Sequence, residues 1–78
     1  MSLTSLVTAP EGKEVTVVSI VGGRGAVQKL MAMGIVPGKK LKILGRRGCA
    51  MLIAINGSKY VIGRGLAMKV IVNAGEKS

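Results

Sequence analysis

The chain has 78 residues and a net charge of +9, from 12 Lys and Arg against 3 acidic residues, with no histidine and no tryptophan. A chain this short is at most one domain and buries only about 60–65% of its unfolded surface, which leaves little room for a deep catalytic pocket. Acid–base chemistry draws on His, Asp or Glu converging in a cleft, and Glu11, Glu14 and Glu76 are the only acids, so an enzyme is not expected.

Residues 1–13 show no sustained period. Glu14–Ile20 (EVTVVSI) is β-branched and alternating, so a strand is expected, and the glycines of VGGRG break it. Ala26–Met33 places Val27, Leu30 and Met31 on one side, with Ala26 and Met33 flanking, and predicts a helix of about two turns. Gly34 stands where a left-handed residue ends a helix, and Pro37 prevents its resumption. Pro37-Gly38 then turns the chain into a half-buried strand, Lys39–Leu44, with Leu41 and Ile43 opposed to Lys40 and Lys42.

Gly45–Gly48 (GRRG) reads as a basic turn and Cys49–Ile55 (CAMLIAI) as the next strand. Asn56-Gly57 is a strong hairpin signal, because a type I′ turn needs positive φ at both central residues. SKYVI returns as a strand, GRGLA forms a corner with about one turn of 3-10 helix, and MKVIVN is the last strand. Ala74–Ser78 is expected to fray. The expected fold is all-β: a small barrel of about five strands, with one short helix between the first and second, whose closure removes exposed strand edges. Residues 1–78 read as a single domain with a core over about 14–73.

The longest apolar run, Cys49–Ile55, is far below the ~18 residues of a spanning helix. No charged-then-apolar segment opens the chain, so export is not expected. One cysteine makes no internal disulfide and fits a reducing compartment.

Candidate sites are few. Met31, Met33, Met51 and Met68 could be soft thioether ligands, but their positions favour flexible filling of an aliphatic core. Cys49 has no second cysteine and no histidine, so neither a structural zinc site nor a Cys–His nucleophile can be built within one chain; it reads as a core or strand-start thiol. The glycines of GGRG open a helix but lack a phosphate-loop pattern and read as a corner. No cofactor is called for. Lys39, Lys40, Lys42, Arg46 and Arg47 cluster around one strand and its turn, either as a solvated face or as a dock for an acidic surface. Single-stranded nucleic acid is recognised largely by aromatic stacking, and Tyr60 is the one aromatic. Both faces of CAMLIAI are apolar, so an exposed Leu52 would be a contact surface for a protein partner or for self-association.

KLMAMGIVPGKKLKIL followed by NGSKYVIGRGLAMKVIV resembles the ferrous iron transport protein A family, FeoA. Its pattern is a helix ending in Leu-x-x-(Leu/Met)-Gly-(Ile/Leu)-x-Pro-Gly, matched by Leu30, Met33, Gly34, Ile35, Pro37 and Gly38. A glycine hairpin follows, matched by Asn56-Gly57, and a closing segment matched by Ile62, Ala67, Val70 and Val72. The likeness covers about residues 14–73. It implies an SH3-like barrel without catalytic residues, acting as a cytoplasmic accessory of ferrous iron uptake, peripheral to the inner membrane. The implied partner is the membrane transporter, ferrous iron transport protein B, which carries a GTP-binding domain. Gly34, Pro37, Gly38, Asn56, Gly57 and Ala67 are then structural. The candidate contact residues are Leu30 and Met33 on the helix, Lys40 and Lys42 on the basic strand, Arg46 and Arg47 in its turn, and Leu52. The family is also associated with transition-metal-ion binding, for which this sequence offers few ligands. Other classes of function are a basic nucleic-acid-binding barrel and a metal-responsive module.

Overall fold

A computed structural model of the chain describes residues 3–74. One antiparallel sheet holds six strands, β1 (Leu3–Ser5), β2 (Glu14–Ile20), β3 (Lys40–Arg47), β4 (Ala50–Ile55), β5 (Ser58–Gly63) and β6 (Val70–Asn73), in the order β1-β6-β2-β3-β4-β5. Two helices, α1 (Arg24–Ala32) and α2 (Arg64–Ala67), and a 3-10 turn at Leu6–Thr8 complete the described chain. The all-β expectation stands, with six strands rather than five. The extra strand, β1, is three residues long and exists by pairing Leu3, Thr4 and Ser5 with Asn73, Val72 and Ile71. Three residues are too few to carry a period.

The strand ladder begins at β1 and ends at β5, so pairing does not close the barrel. The 3-10 turn follows β1 and α2 follows β5; these two pack against each other and join the ends of the curved sheet. The corner expected as 3-10 is this short α2. Residues 75–78, part of the tail expected to fray, lie outside the described residues.

Helix α1 ends by paired backbone bonds. The Gly34 amide donates to the Met31 carbonyl at 2.9 Å and the Ile35 amide to Leu30 at 3.0 Å, with Gly34 at φ +85°. This is a Schellman cap, and its accompanying apolar contact joins the helix residue Leu30 to Ile35; both are fully buried. Three residues on, Lys39 donates to the Val36 carbonyl at 3.1 Å across Pro37-Gly38, with Gly38 at φ +94°. Proline followed by a positive-φ glycine is a type II turn. The Gly38 amide donates to Val17 at 2.8 Å, which seats the turn against β2.

The core is almost wholly aliphatic. Val15 and Val17 of β2, Leu41 and Ile43 of β3, Met51, Ile53 and Ile55 of β4, Ile62 of β5, and Val70 and Val72 of β6 turn inward, joined by Leu6, Leu30, Ile35 and Ala67. Two register shifts, between Val17 and Ser19 and between Ile43 and Gly45, bend the strands. Bulges of this kind increase local twist, so that a short sheet can wrap around its own side chains. The second bulge corrects the expected basic turn: Gly45, Arg46 and Arg47 are the end of β3, and the turn is at Gly48-Cys49.

Candidate protein-interaction site

The outer face of β3, β4 and β5 is built in rows. Strand pairing sets Lys42 beside Ala54 and Ala54 beside Lys59; next Gly45, Leu52 and Val61; next Arg47, Ala50 and Gly63. Leu44, at the bulge, adds a third apolar side chain to the middle row. Leu44 and Leu52 are 37% and 38% exposed, and Val61 is 70% exposed. Together they floor an open groove of about 590 Å³ that Arg47 also lines. Exposed apolar side chains grouped in this way mark contact surfaces more often than scattered ones do. Among the described residues Leu3, Val18, Val21, Met31 and Met68 are also exposed.

The candidate contact residues part ways here. Lys42, Arg47 and Leu52 lie on this face, and Lys40 is exposed on the same strand. Arg46 also contributes to the groove lining, but its guanidinium is engaged elsewhere. The bulge changes the alternation of β3, so Arg46 pairs with the buried Met51 and turns toward the N-terminal segment. Its guanidinium donates to the Val7 carbonyl at 3.0 Å, to the Ala9 carbonyl, and to the Glu11 carboxylate at 3.3 Å. Three of its five N–H donors are therefore engaged within the chain. Leu30 is a correction of another kind: it is fully buried, because the helix cap folds it against Ile35, and it cannot touch a partner. Met33 is partly buried against the core.

The structural residues sit at corners. Asn56 and Gly57 have φ of +54° and +79°, which a type I′ hairpin turn requires. The Asn56 side chain accepts a hydrogen bond from Lys39 at 3.2 Å. Ala67 is fully buried in α2. Core filling holds for Met51, which is buried, and for Met33, but Met31 and Met68 are more than half exposed. Cys49 is exposed in the β3–β4 turn, not in the core, and its carbonyl accepts from the Arg64 amide at 2.7 Å. Gly23 caps the start of α1 without a side-chain hydrogen bond, and Arg24 is exposed beside it.

Lys59 and Val61 were missed by the sequence reading. The signal was present, because a two-residue Asn56-Gly57 turn puts Ile55 opposite Ser58 and therefore Leu52 opposite Val61. Among the described residues no three Cys, Asp or Glu side chains come together as a metal site, and no helix is long and apolar enough to cross a membrane.

The FeoA domain profile matches residues 4–74. A curated relative from Methanocaldococcus jannaschii, named for Fe(2+) transport as protein A, is 46% identical over 71 residues, which are 91% of this chain and 87% of the relative. A crystal structure of an iron uptake regulatory protein, FeoA, superposes with a TM-score of 0.87 at 36% identity, covering 94% of this chain and 97% of that one. The Stenotrophomonas maltophilia FeoA, a prokaryotic SH3 domain protein complexed with zinc, superposes with a TM-score of 0.79 over 91% of each chain, at 18% identity, and shares the fold.

Proposed function

The chain belongs to the FeoA family, a family of accessory proteins of ferrous iron transport, and from that premise we propose that it docks on the membrane ferrous iron transporter, ferrous iron transport protein B. The dock is the cytoplasmic part of that transporter, and this chain acts there as a single interaction domain. The observation that carries the reading is the extensive likeness to the Fe(2+) transport protein A of Methanocaldococcus jannaschii. The outer face of β3, β4 and β5 supports it, since grouped exposed aliphatics beside lysine and arginine suit a protein contact better than a catalytic step. Iron is then the cargo of the partner.

The charge of +9 favours residence near an anionic leaflet, where each nearby Lys or Arg contributes about 1 kcal/mol. The chain is accordingly cytoplasmic and peripheral. The test is capture of the tagged protein's partners from detergent-solubilised membranes at low and moderate salt. Recovery of the transporter at both supports the reading. Recovery of nucleic acid alone, lost as salt rises, would replace it.

A further inference from the structure

We infer that the groove over Leu44, Leu52 and Val61 receives an extended acidic segment of a partner protein, one that carries two carboxylates on either side of a single large aliphatic residue. The inference rests on the reading of the chain as a docking module and names the surface and the chemistry of what it meets.

The geometry is that of the rows. The apolar row lies between two rows that carry cations, Lys42 and Lys59 on one side and Arg47 on the other. Four residues of antiparallel strand separate those rows along β4, from Ala54 to Ala50, a distance of about 13 Å. In an extended ligand, residues i and i+4 are separated by that same distance, and i, i+2 and i+4 share one face. A segment of the form acid-x-aliphatic-x-acid, laid along the strand direction, therefore sets its aliphatic side chain over Leu52 and its carboxylates over the two cationic rows.

Charge selects this occupant over the alternatives. Among the described residues Lys42, Lys59 and Arg47 enter no ion pair; the Arg46–Glu11 pair lies elsewhere. Glu14 stands opposite Lys42 across the β2–β3 pair, so Lys59 and Arg47 are the stronger anchors. A second copy of the chain would bring another +9 against this surface, and like charges oppose self-association. A lipid surface suits a projecting apolar tip, whereas these aliphatics line an open groove in which Leu44 and Leu52 are more than half covered. Fixed cations at both ends also reject a segment that carries a basic residue at either end, because like charges meet there.

The test uses the isotope-labelled full chain and the capped peptide Gly-Ser-Glu-Thr-Leu-Thr-Glu-Ser-Gly, followed by amide chemical shifts at low salt. The expected result is perturbation centred on Leu44, Leu52, Arg47 and Val61. The affinity should fall at least tenfold when the two Glu become Lys or the central Leu becomes Ser, and when the protein carries Val61→Asp or Arg47→Glu with an unchanged melting profile. The peptide exchanges need no protein variant, so they decide the matter even if a variant unfolds. No perturbation, equal binding of the Lys peptide, perturbation centred on another face, or movement of these resonances only with phosphatidylglycerol vesicles overturns the inference. Capture of the transporter separates this failure from that of the proposed function. Capture by both the wild type and Val61→Asp overturns the groove and leaves the adaptor. Peptide binding without capture by the wild type overturns the adaptor and supports the groove.

Discussion

A β-carbon on Gly34 would stand 2.8 Å from the side-chain amide nitrogen of Asn56. The end of helix α1 is thus packed against the β4–β5 hairpin turn, 22 residues further along the chain, and both residues hold positive φ. Gly34 is needed twice here, for its left-handed backbone and for the absence of a side chain. The Asn56 carboxamide also takes the Lys39 ammonium, so helix cap, type II turn and hairpin meet at one side chain.

Gly34→Ala should therefore cost roughly 2–3 kcal/mol, of which about 1–2 kcal/mol is the left-handed backbone and the remainder displacement of Asn56. Asn56→Gly keeps the positive φ of the turn and removes the obstruction. Urea unfolding of the wild type, the two single variants and the double variant checks this: the double variant should lose less than the sum of the singles. Strict additivity would sink the contact.

Gly38 and Gly45 make a contrast of backbone alone. Neither has an atom within 4 Å of a built β-carbon, but only Gly38 has positive φ. Gly38→Ala should cost about 1–2 kcal/mol, and Gly45→Ala should be neutral within about 0.5 kcal/mol. Thermal melts of the two variants under identical conditions are enough to compare them.

Arg46 and Arg47 are neighbours with opposite duties. Arg46→Ala removes donors from the Val7 and Ala9 carbonyls and should lower stability by about 1–3 kcal/mol. Arg47→Ala should change it by less than about 0.5 kcal/mol. Glu11→Gln should also be small, below about 1 kcal/mol, because both partners of that ion pair are substantially exposed and solvent screens it. Denaturation midpoints of the three variants test the order; equal losses for the two arginines would refute it.

Leu30 and Leu52 should separate folding from docking. Leu30 is fully buried and Leu52 is not. Leu30→Ala should cost about 2–5 kcal/mol by leaving a cavity, and any loss of function would follow from loss of fold. Leu52→Glu should stay within about 0.5 kcal/mol of wild type and still fail to capture the transporter. Capture by Leu52→Glu at wild-type level, with an intact melt, would remove Leu52 from the interface.

Much of the fold was legible. The alternation of Glu14–Ile20, the break at Gly34 and Pro37-Gly38, and the Asn56-Gly57 turn each follow from local backbone preference, and each is found where the residues predict it. What was not legible lacks a local signal. The three residues of β1 become a strand only because β6 offers an edge. GRRG carries two glycines and reads as a turn, yet pairing with β4 holds Gly45, Arg46 and Arg47 extended. Leu30 reads as one side of a short amphipathic helix, which does not say whether that side meets the core or a partner.

The sequence by itself determined aliphatic alternation for a small β core, glycines and prolines for its corners, and a strongly basic net charge. Those are properties of residue type and spacing over a few positions. Only the tertiary structure decided which cations face outward. Strict alternation from Lys40 and Lys42 would set Arg46 on the outer face, but the shift between Ile43 and Gly45 adds one residue to β3 and reverses every side chain beyond it. Arg46 thus holds the N-terminal segment and Arg47 borders the groove. A bulge of this kind is settled by the pairing of two strands and the packing beneath them.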